Sequence, residues 1–381
     1  MDRFLLWTIP SIALLCCAGF GFWLLSLPPA PKLTDATPVP ADEVAATIEA
    51  LRSSQSGRPV IAILGANGPT KTETTDYIIP YGILRRAEVA EVVAVSTMPG
   101  PIELFPALRA QADATIAEFD TKYPAGATYV IVPAMSRDND PVVLRWLQNQ
   151  KGKGATIIGI CAGAKVVAAA GLLDGKRATT HWYYRKDLLK AHPTISFVRD
   201  RRFVVDGKVA TTTGISASMP MMLTLIEAIG GKEKAEAIAH GLAADKWGAS
   251  HASDAFVFSR PFVLTILWNS LTFWTHESFD IRLTPGFDEV SLALVTDAWS
   301  RTYRSRVRST SKERGPIISR SGLKIYPDKT FQANDLHEIG TQALPALKAL
   351  EDSLADIKER YGATTAYVVA AQLEYPGTPS R

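Results

Sequence analysis

The segment from Gly159 to Gly163 is the feature that most constrains the fold of this chain. It reads Gly-Ile-Cys-Ala-Gly, follows an apolar run at residues 155–158 and precedes a small-residue helical stretch at residues 164–170. A strand that turns this sharply into a helix strains its central residue, so the neighbouring residues must be small. The pattern predicts that Cys161 lies above a parallel sheet at a helix N-terminus, where the dipole favours its thiolate. A buried core cysteine is the alternative interpretation.

Short apolar strands alternate with helical segments on both sides of this turn. Because such strands are typical of a parallel sheet covered on both faces, we predict an α/β fold. Ligands bind at the carboxyl ends of the strands in these sheets, and Cys161 follows such an end. The predicted strands are Val60–Leu64, Val89–Val95, Tyr129–Val132 and Thr156–Ile160, and the helices between them include Tyr77–Ala87 and Pro141–Gln150.

Two further residues complete a candidate site with Cys161. His181 ends the run Ala-Thr-Thr-His, and Asp76 begins the run Asp-Tyr-Ile-Ile-Pro, which leads into Arg-Arg-Ala at residues 85–87. Taken with Cys-Ala-Gly at residues 161–163, these motifs resemble the ThiJ/PfpI family. The similarity is greatest to the amidotransferase-like domains that are fused to some AraC-type regulators, and it covers roughly residues 58 to 254.

The resemblance implies both a fold and a set of catalytic roles. The fold is a flavodoxin-like three-layer sandwich with a parallel sheet, of the class I glutamine-amidotransferase-like type. Cys161 is then the nucleophile and His181 the residue that moves protons. Asp76 takes the position of the family's usual glutamate, one methylene shorter, and is expected to share a hydrogen bond with the sulfur or to hold its loop.

The resemblance also implies which backbone groups line the pocket. Gly159, Ala162 and Gly163 are expected there from the turn around the cysteine. The family commonly carries Pro-Gly-Gly at the end of the preceding strand, where this chain has a proline followed by Ala134 and Met135. Because alanine and methionine resist positive backbone angles, we expect a misshapen oxyanion pocket. This departure weakens the case for amide hydrolysis more than the case for ligand binding.

Two classes of function therefore stay open at this point. The first is a cysteine-dependent hydrolase or deglycase-like enzyme that acts on a small carbonyl, amide or peptide substrate. The second is a binding or redox-sensing module that uses the same cysteine pocket. No cofactor and no metal are expected, since the remaining histidines lack metal-ligand spacing. A homodimer is also left open.

Charge and motif content argue against nucleic acid as a partner. The formal net charge is +3, from 41 basic and 38 acidic residues, and no helix-turn-helix follows the first domain. Basic clusters such as residues 301–308 are interpreted as solvated faces.

The N-terminus predicts attachment to a membrane. Phe4–Leu27 is 24 residues without a formal charge, which is long enough to cross a bilayer. An uncleaved single-pass anchor (residues 1–27) is the first interpretation and a cleaved signal peptide the alternative. A proline-rich spacer with a short helix at Ala41–Leu51 follows (residues 28–57), and the body (58–255) is expected on the extracytoplasmic side. Cys161 is the one cysteine beyond residue 17, so that body would hold a free thiol.

The C-terminal third echoes the first half of the chain, which predicts a truncated non-catalytic repeat at residues 277–381. Gly-Pro-Ile recurs at residues 100–102 and 315–317, and Asp288 stands between Phe and Glu in the place of Asp76. Tyr-Val-Val at residues 367–369 is interpreted as the counterpart of the strand at residues 129–131. No cysteine follows that could fill a second elbow.

An apolar segment joins the two units at residues 256–276. We predict a helix packed into their interface, and a second membrane span is the alternative. Its aromatic residues are then core residues, namely Phe262, Trp268, Phe273 and Trp274.

Overall fold

The computed structural model describes residues 18–29, 31, 35–53, 57–245, 247–330, 339 and 344–376. A first helix, α1, covers residues 18–26 of this part, and α2 is Ala41–Leu51, as the sequence predicts. None of the described helices combines the length and the apolar composition that a membrane crossing requires. Residues 4–17 of the predicted anchor lie outside the described residues, as do parts of the spacer and of the C-terminal unit, so the anchor stays a prediction.

A seven-stranded sheet forms the centre of the first unit. The strands of this unit are β1 (Val60–Gly65), β2 (Thr72–Glu73), β3 (Glu91–Ser96), β4 (Ile102–Phe105), β5 (Arg109–Gln111), β6 (Ala114–Thr115), β7 (Tyr129–Val132), β8 (Thr156–Gly159), β9 (Arg177–Ala178), β10 (Ser196–Phe197), β11 (Phe203–Asp206) and β12 (Val209–Thr212). The sheet runs β11-β12-β8-β7-β1-β3-β6, and its neighbours are parallel except for β11 with β12. Strands β7 and β8 are buried on both faces, as continuous apolar strands require.

Helices cover both faces of this sheet, which confirms the predicted α/β fold. They are α3 (Thr74–Ala87), α4 (Ile116–Lys122), α5 (Pro141–Gly152), α6 (Gly163–Ala169), α7 (Arg185–Ala191), α8 (Ser218–Gly230) and α9 (Lys232–Gly241). Helix α3 begins three residues before the predicted start, because the carboxylate of Glu73 caps it by accepting from the N–H of Asp76.

The second unit has the same order of elements as the first part of the first unit. Its elements are α10 (Arg260–Leu271), β13 (Glu277–Arg282), α11 (Glu289–Ser300), β14 (Ser305–Ser311), β15 (Ile317–Ile318), β16 (Lys324–Ile325), β17 (Lys329–Thr330), α12 (Ala346–Tyr361) and α13 (Ala363–Gln372). The parallel sheet β13-β14-β17 follows the pattern of β1-β3-β6, with α11 in the place of α3. In both units an aspartate forms a hydrogen bond with the middle strand. Asp113 accepts from the N–H of Ala94 in β3, and Asp328 accepts from the N–H of Ser309 in β14.

The two units meet across an approximate two-fold arrangement. Helices α3 and α11 pack together, and β5 pairs with β16 in an antiparallel sheet formed by both units. At one end of the helix pair, Arg86 of α3 contacts Asp288 and Glu289 at 2.8 and 2.6 Å. At the other end, Arg301 lies 2.8 Å from Glu73. One hydrophobic core extends across both units.

Two predictions for the C-terminal unit were wrong. Residues 367–369 lie in helix α13 and not in a strand, and this helix packs on α10 and α12. The tyrosine and valines fit a strand locally, but the alanines around them and the packing against two helices favour α13.

The linking segment, residues 256–276, was predicted to place its aromatic residues in the core, and this holds for only one of the four. Phe262 is buried, whereas Trp268, Phe273 and Trp274 are 67, 71 and 72% exposed. Helix α10 spans 12 residues, which is too short for the alternative of a second membrane span.

Gly82 sets the close approach of α3 to α11. A Cβ at this position would lie 2.4 Å from Oε1 of Glu289 and 2.6 Å from Cγ2 of Val290. We predict that Gly82→Ala lowers the free energy of unfolding by about 1–3 kcal/mol through overpacking, although alanine favours a helix by about 1 kcal/mol. Gly152→Ala in α5 is the matched control, since its Cβ would meet no atom within 4 Å and the change should be neutral or stabilising. Chemical denaturation measures both, and equal stabilisation by the two changes would contradict the prediction.

Candidate functional site

Cys161 lies in the sharp turn between β8 and α6. Its φ angle is 56°, the left-handed region that side chains rarely adopt, and its N–H donates to Oγ1 of Thr212 at 2.9 Å. A Cβ on Gly163 would lie 2.0 Å from the carbonyl oxygen of Val132, so only glycine fits there. The strained cysteine between small residues is the geometry that the sequence pattern predicts.

The surroundings of the sulfur oppose the expected thiolate. The pKa of the Cys161 thiol is raised well above its usual value, first by burial and then by the charges of Asp76, Glu73 and Glu374. The N–H of Ala162 bonds to the sulfur and acts in the opposite direction. Helix α6 has only seven residues, so its dipole is too small to outweigh burial beside carboxylates.

Asp76 is the acidic residue whose charge acts most strongly on the thiol of Cys161. Its Oδ2 accepts from the N–H of Ala134 at 3.0 Å, and its buried Oδ1 has no hydrogen-bond partner among the described residues. Burial raises the pKa of Asp76 to about 7, while the N–H of Ala134 and the charge of Arg301 act to lower it. The pKa of Cys161 is raised well above its usual value, so the carboxyl of Asp76 releases its proton at a lower pH than the thiol does.

A second carboxylate and an arginine support this pair from behind. Oε2 of Glu73 accepts from the Asp76 N–H and from Oγ1 of Thr75, each at 2.7 Å. Its Oε1 accepts from Nη2 of Arg301 at 2.8 Å, and Arg301 also bonds to Asp297 at 2.6 Å. Arg301 follows α11 in the second unit, so the interpretation of residue 301 as part of a solvated face was wrong. Sequence reasoning missed both Glu73 and Arg301, because nothing local links residues so far apart in the chain.

His181 lines the same cavity but is bound to backbone groups on both sides of its ring. Nδ1 accepts from the N–H of Tyr183 at 3.1 Å, which fixes the proton on Nε2. Nε2 then donates to the carbonyl oxygen of Gln372 at 2.9 Å, and burial lowers the pKa of the ring. The imidazole is therefore neutral and does not contact the sulfur, so its role in moving protons stays a prediction that requires these bonds to break.

The end of α13 holds the loop that carries His181. Glu374 accepts from the N–H of Trp182 at 2.7 Å and from the N–H of Gly214, and the indole N–H of Trp182 donates to the carbonyl oxygen of Ala371. Glu374 is almost fully buried, and its φ angle of 50° is left-handed. The second unit thus positions one side of the site through its last helix and the other through Arg301.

A cavity of about 620 Å³ opens above the thiol. Its polar floor is formed by Cys161, Glu73 and Arg301, and its walls are largely aromatic and aliphatic. Three of the predicted backbone positions line it, namely Ala134, Met135 and Ala162, whereas Gly159 and Gly163 lie behind it. The described residues contain no cluster of three or more His, Cys, Asp or Glu that could hold a metal ion.

The N–H of Ala134 is not free to bind an oxyanion. It donates to Asp76, and the carbonyl oxygen of Ala134 accepts from the N–H of Glu73 at 2.8 Å. The segment from Glu73 to Asp76 therefore hydrogen-bonds the backbone groups of Ala134. In the family, glycines at this place are expected to present these groups to a ligand.

We predict that the rate of alkylation of Cys161 by iodoacetamide rises in a first step near pH 7. Above that pH, ionised Asp76 can accept the thiol proton as the sulfur attacks, whereas below it both groups are protonated. Asp76→Asn should abolish this step and leave a single rise above the usual thiol range. Asp138→Asn is the control, because Asp138 lines the cavity but pairs with Lys165 at 2.8 Å. A step near pH 7 that persists in Asp76→Asn would contradict the pairing.

Comparisons with known proteins agree with the geometry of the first unit. Residues 61–228 match the model of the DJ-1/PfpI family. A stretch of 95 residues is 39% identical to the HTH-type transcriptional regulator CdhR of Pseudomonas aeruginosa, covering 25% of this chain and 28% of that protein. A stretch of 100 residues is 38% identical to the isonitrile hydratase of Pseudomonas putida, covering 26% and 42%. The chain thus spans less than half the length of either relative.

Two further matches cover nearly the whole of shorter proteins. The Parkinson disease protein 7 homolog of Danio rerio is 28% identical over 183 residues, which are 47% of this chain and 94% of that protein. The crystal structure of Drosophila melanogaster DJ-1beta is 24% identical with a TM-score of 0.44, covering 49% of this chain and 98% of that one. Residues 61–228 are thus similar to a DJ-1/PfpI family domain, and the rest of the chain adds a further α/β region.

Proposed function

We propose that the first unit is a cysteine-dependent enzyme that hydrolyses or adds water to a small uncharged electrophile, such as a carbonyl compound or an isonitrile. The observation that carries this proposal is the thiol of Cys161 at the floor of the cavity, with the buried carboxyl of Asp76 acting on it from behind the lining. The strained backbone of the cysteine fixes its sulfur beside a buried carboxyl whose pKa is raised to about 7. Proton transfer is most effective when the pKa of the base lies near the working pH.

The chemistry of the pair follows from these positions. The carboxylate of Asp76 accepts the thiol proton while the sulfur of Cys161 bonds to the electrophilic carbon. At a carbonyl the electron pair of the attacked bond moves to oxygen, which takes the proton back from Asp76, whereas at an isonitrile the attacked carbon keeps the pair and takes that proton. Water then adds to the thioimidate formed from an isonitrile and expels the thiol, which leaves a formamide. The hemithioacetal of a 2-oxoaldehyde instead passes the proton of its aldehyde carbon to the neighbouring carbon and becomes a thioester, which water cleaves to a 2-hydroxy acid and the restored thiol.

The lining of the cavity favours an uncharged ligand with an apolar body. Phe105, Phe258, Phe262 and Ile266 contribute to its walls, and the charge of Arg301 is already balanced by Glu73 and Asp297. An apolar wall with few polar groups near one end is typical of a small-molecule site. The similarity to an isonitrile hydratase supports a water-adding reaction in particular.

A ligand-binding or redox-sensing module is the second candidate. It is favoured by the bonds of His181 to Tyr183 and Gln372 and by the N–H of Ala134, which is taken by Asp76. Catalysis of amide hydrolysis requires donors aimed at a developing oxyanion. A sensor needs only a thiol that a ligand or an oxidant can reach.

Two parts of the proposal rest on the sequence alone. They are attachment to a membrane through the N-terminal segment, with the body on the extracytoplasmic side, and the pairing of two copies into a homodimer.

Turnover of methylglyoxal and of cyclohexyl isonitrile by the full chain tests the proposal. We predict that Cys161→Ser abolishes turnover and that Asp76→Asn lowers kcat by about 10²- to 10⁴-fold, the usual share of a general base. Asp174→Asn, an exposed position, is the control and should retain full activity. If neither compound is turned over, while peroxide converts Cys161 to a sulfinic acid that mass spectrometry detects, the sensing module replaces the enzyme.

A further inference from the structure

Helix α10 carries an apolar stripe that the protein leaves uncovered. Leu264, Trp268 and Leu271 follow one another at spacings of four and three residues, so they lie on one face of the helix. They are 47, 67 and 66% exposed, and Phe273 and Trp274 continue the stripe beyond the helix. These five residues are called the α10 stripe below. Contiguous exposed apolar surface of this kind marks an interaction site in a soluble body.

The opposite face of α10 is fixed firmly to the second unit. Phe262 is buried against Val368 and Ala371 of α13. The side-chain amide of Asn269 is buried and donates to the carbonyl oxygen of Thr302 and to Oγ1 of Thr365. The α10 stripe is therefore held outward by packing and is not a loosely attached segment.

The uncharged N-terminal segment ends against this same helix. The guanidinium of Arg260 donates to the carbonyl oxygens of Leu25 and Leu27. The backbone N–H of Arg260 donates to the carbonyl oxygen of Pro28. Arg260 is the one charged residue between positions 256 and 274. Its charge is directed to the end of α1, so the α10 stripe itself presents no charge to its surroundings.

We infer that the α10 stripe lies in the interface of a lipid bilayer, as a peripheral contact beside the point where the N-terminal segment leaves the body. Helix α10 is too short to cross a membrane, but the exposed leucine and tryptophan side chains of its stripe suit the boundary between lipid tails and headgroups. Tryptophan prefers the boundary between lipid tails and headgroups, and Trp268 and Trp274 are both available. Phe22 and Leu25 of α1 are exposed as well, at 78 and 67%, and extend the apolar surface.

This orientation has a consequence for the cavity above Cys161. The layer formed by α1, α10 and the segment before α10 supplies one of its walls, namely Trp23, Phe258, Phe262, Val263, Ile266 and Leu267. A ligand that partitions into the bilayer would therefore reach the thiol along this apolar wall. The inference about the surface does not depend on the proposed enzymatic activity.

Fluorescence of a label on the α10 stripe tests the inference in the full chain. The three native cysteines are replaced by serine, Trp268→Cys is labelled with bimane, and the protein is reconstituted into phosphatidylcholine vesicles. Lys232→Cys on α9 is the control, because Lys232 lies on a charged surface and is 71% exposed. We expect lipids that carry a nitroxide near the headgroup to remove about half of the emission at position 268 and little at position 232.

Two results would overturn the inference. Equal access of aqueous iodide to both labels would place the α10 stripe in water. Protection of position 268 from iodide without quenching by the lipid would show that protein covers it, either residues 1–17 or a second copy of the chain. Should Trp268→Cys fail to fold, Trp274→Cys gives the same readout, since Trp274 lies outside the helix and is 72% exposed.

Discussion

The ion pair between Glu73 and Arg301 is the interaction on which the rest of the site depends. Glu73 caps the helix that carries Asp76, and the charge of Asp76 in turn raises the pKa of the Cys161 thiol. Arg301 comes from the second unit, so the position of the acid loop relies on a part of the chain that lacks a nucleophile of its own. A buried carboxylate without such a partner is costly, which ties the shape of the site to the packing of the two units.

The second unit is therefore more than an appendage to the first unit. Its helix α11 packs on α3 in an approximate two-fold arrangement, with Arg86 and Arg301 bonded to acidic residues at opposite ends of the helix pair. Its last helix provides Gln372, whose carbonyl oxygen accepts from Nε2 of His181 and fixes the position of the ring. Two elements of the second unit thus contact the residues that position Asp76 and His181 in the first unit.

Local sequence patterns were sufficient to predict the turn and the central strands of the first unit, but they could not predict the contacts between the two units. The turn at Cys161 could be predicted because small residues and glycines stand directly next to the cysteine. Strands β7 and β8 could be predicted because their residues form continuous apolar runs. The ionisation of the thiol could not be predicted from local sequence. It depends on burial and on nearby carboxylates, which only the tertiary structure brings to the sulfur. The same holds for the exposed Trp268, because an apolar helix has the same composition whether it faces a core or a membrane.

A double-mutant cycle between Glu73 and Arg301 tests the central claim most directly. The free energy of unfolding of the full chain is measured for Glu73→Gln, for Arg301→Gln and for the double variant, with the reactivity of Cys161 toward iodoacetamide as a second readout. If the pair joins the units at the site, the two changes are coupled by about 2 kcal/mol or more, and either single change alters the alkylation of Cys161. Effects that add within about 0.5 kcal/mol, with alkylation unchanged, would contradict the claim that the second unit completes the site.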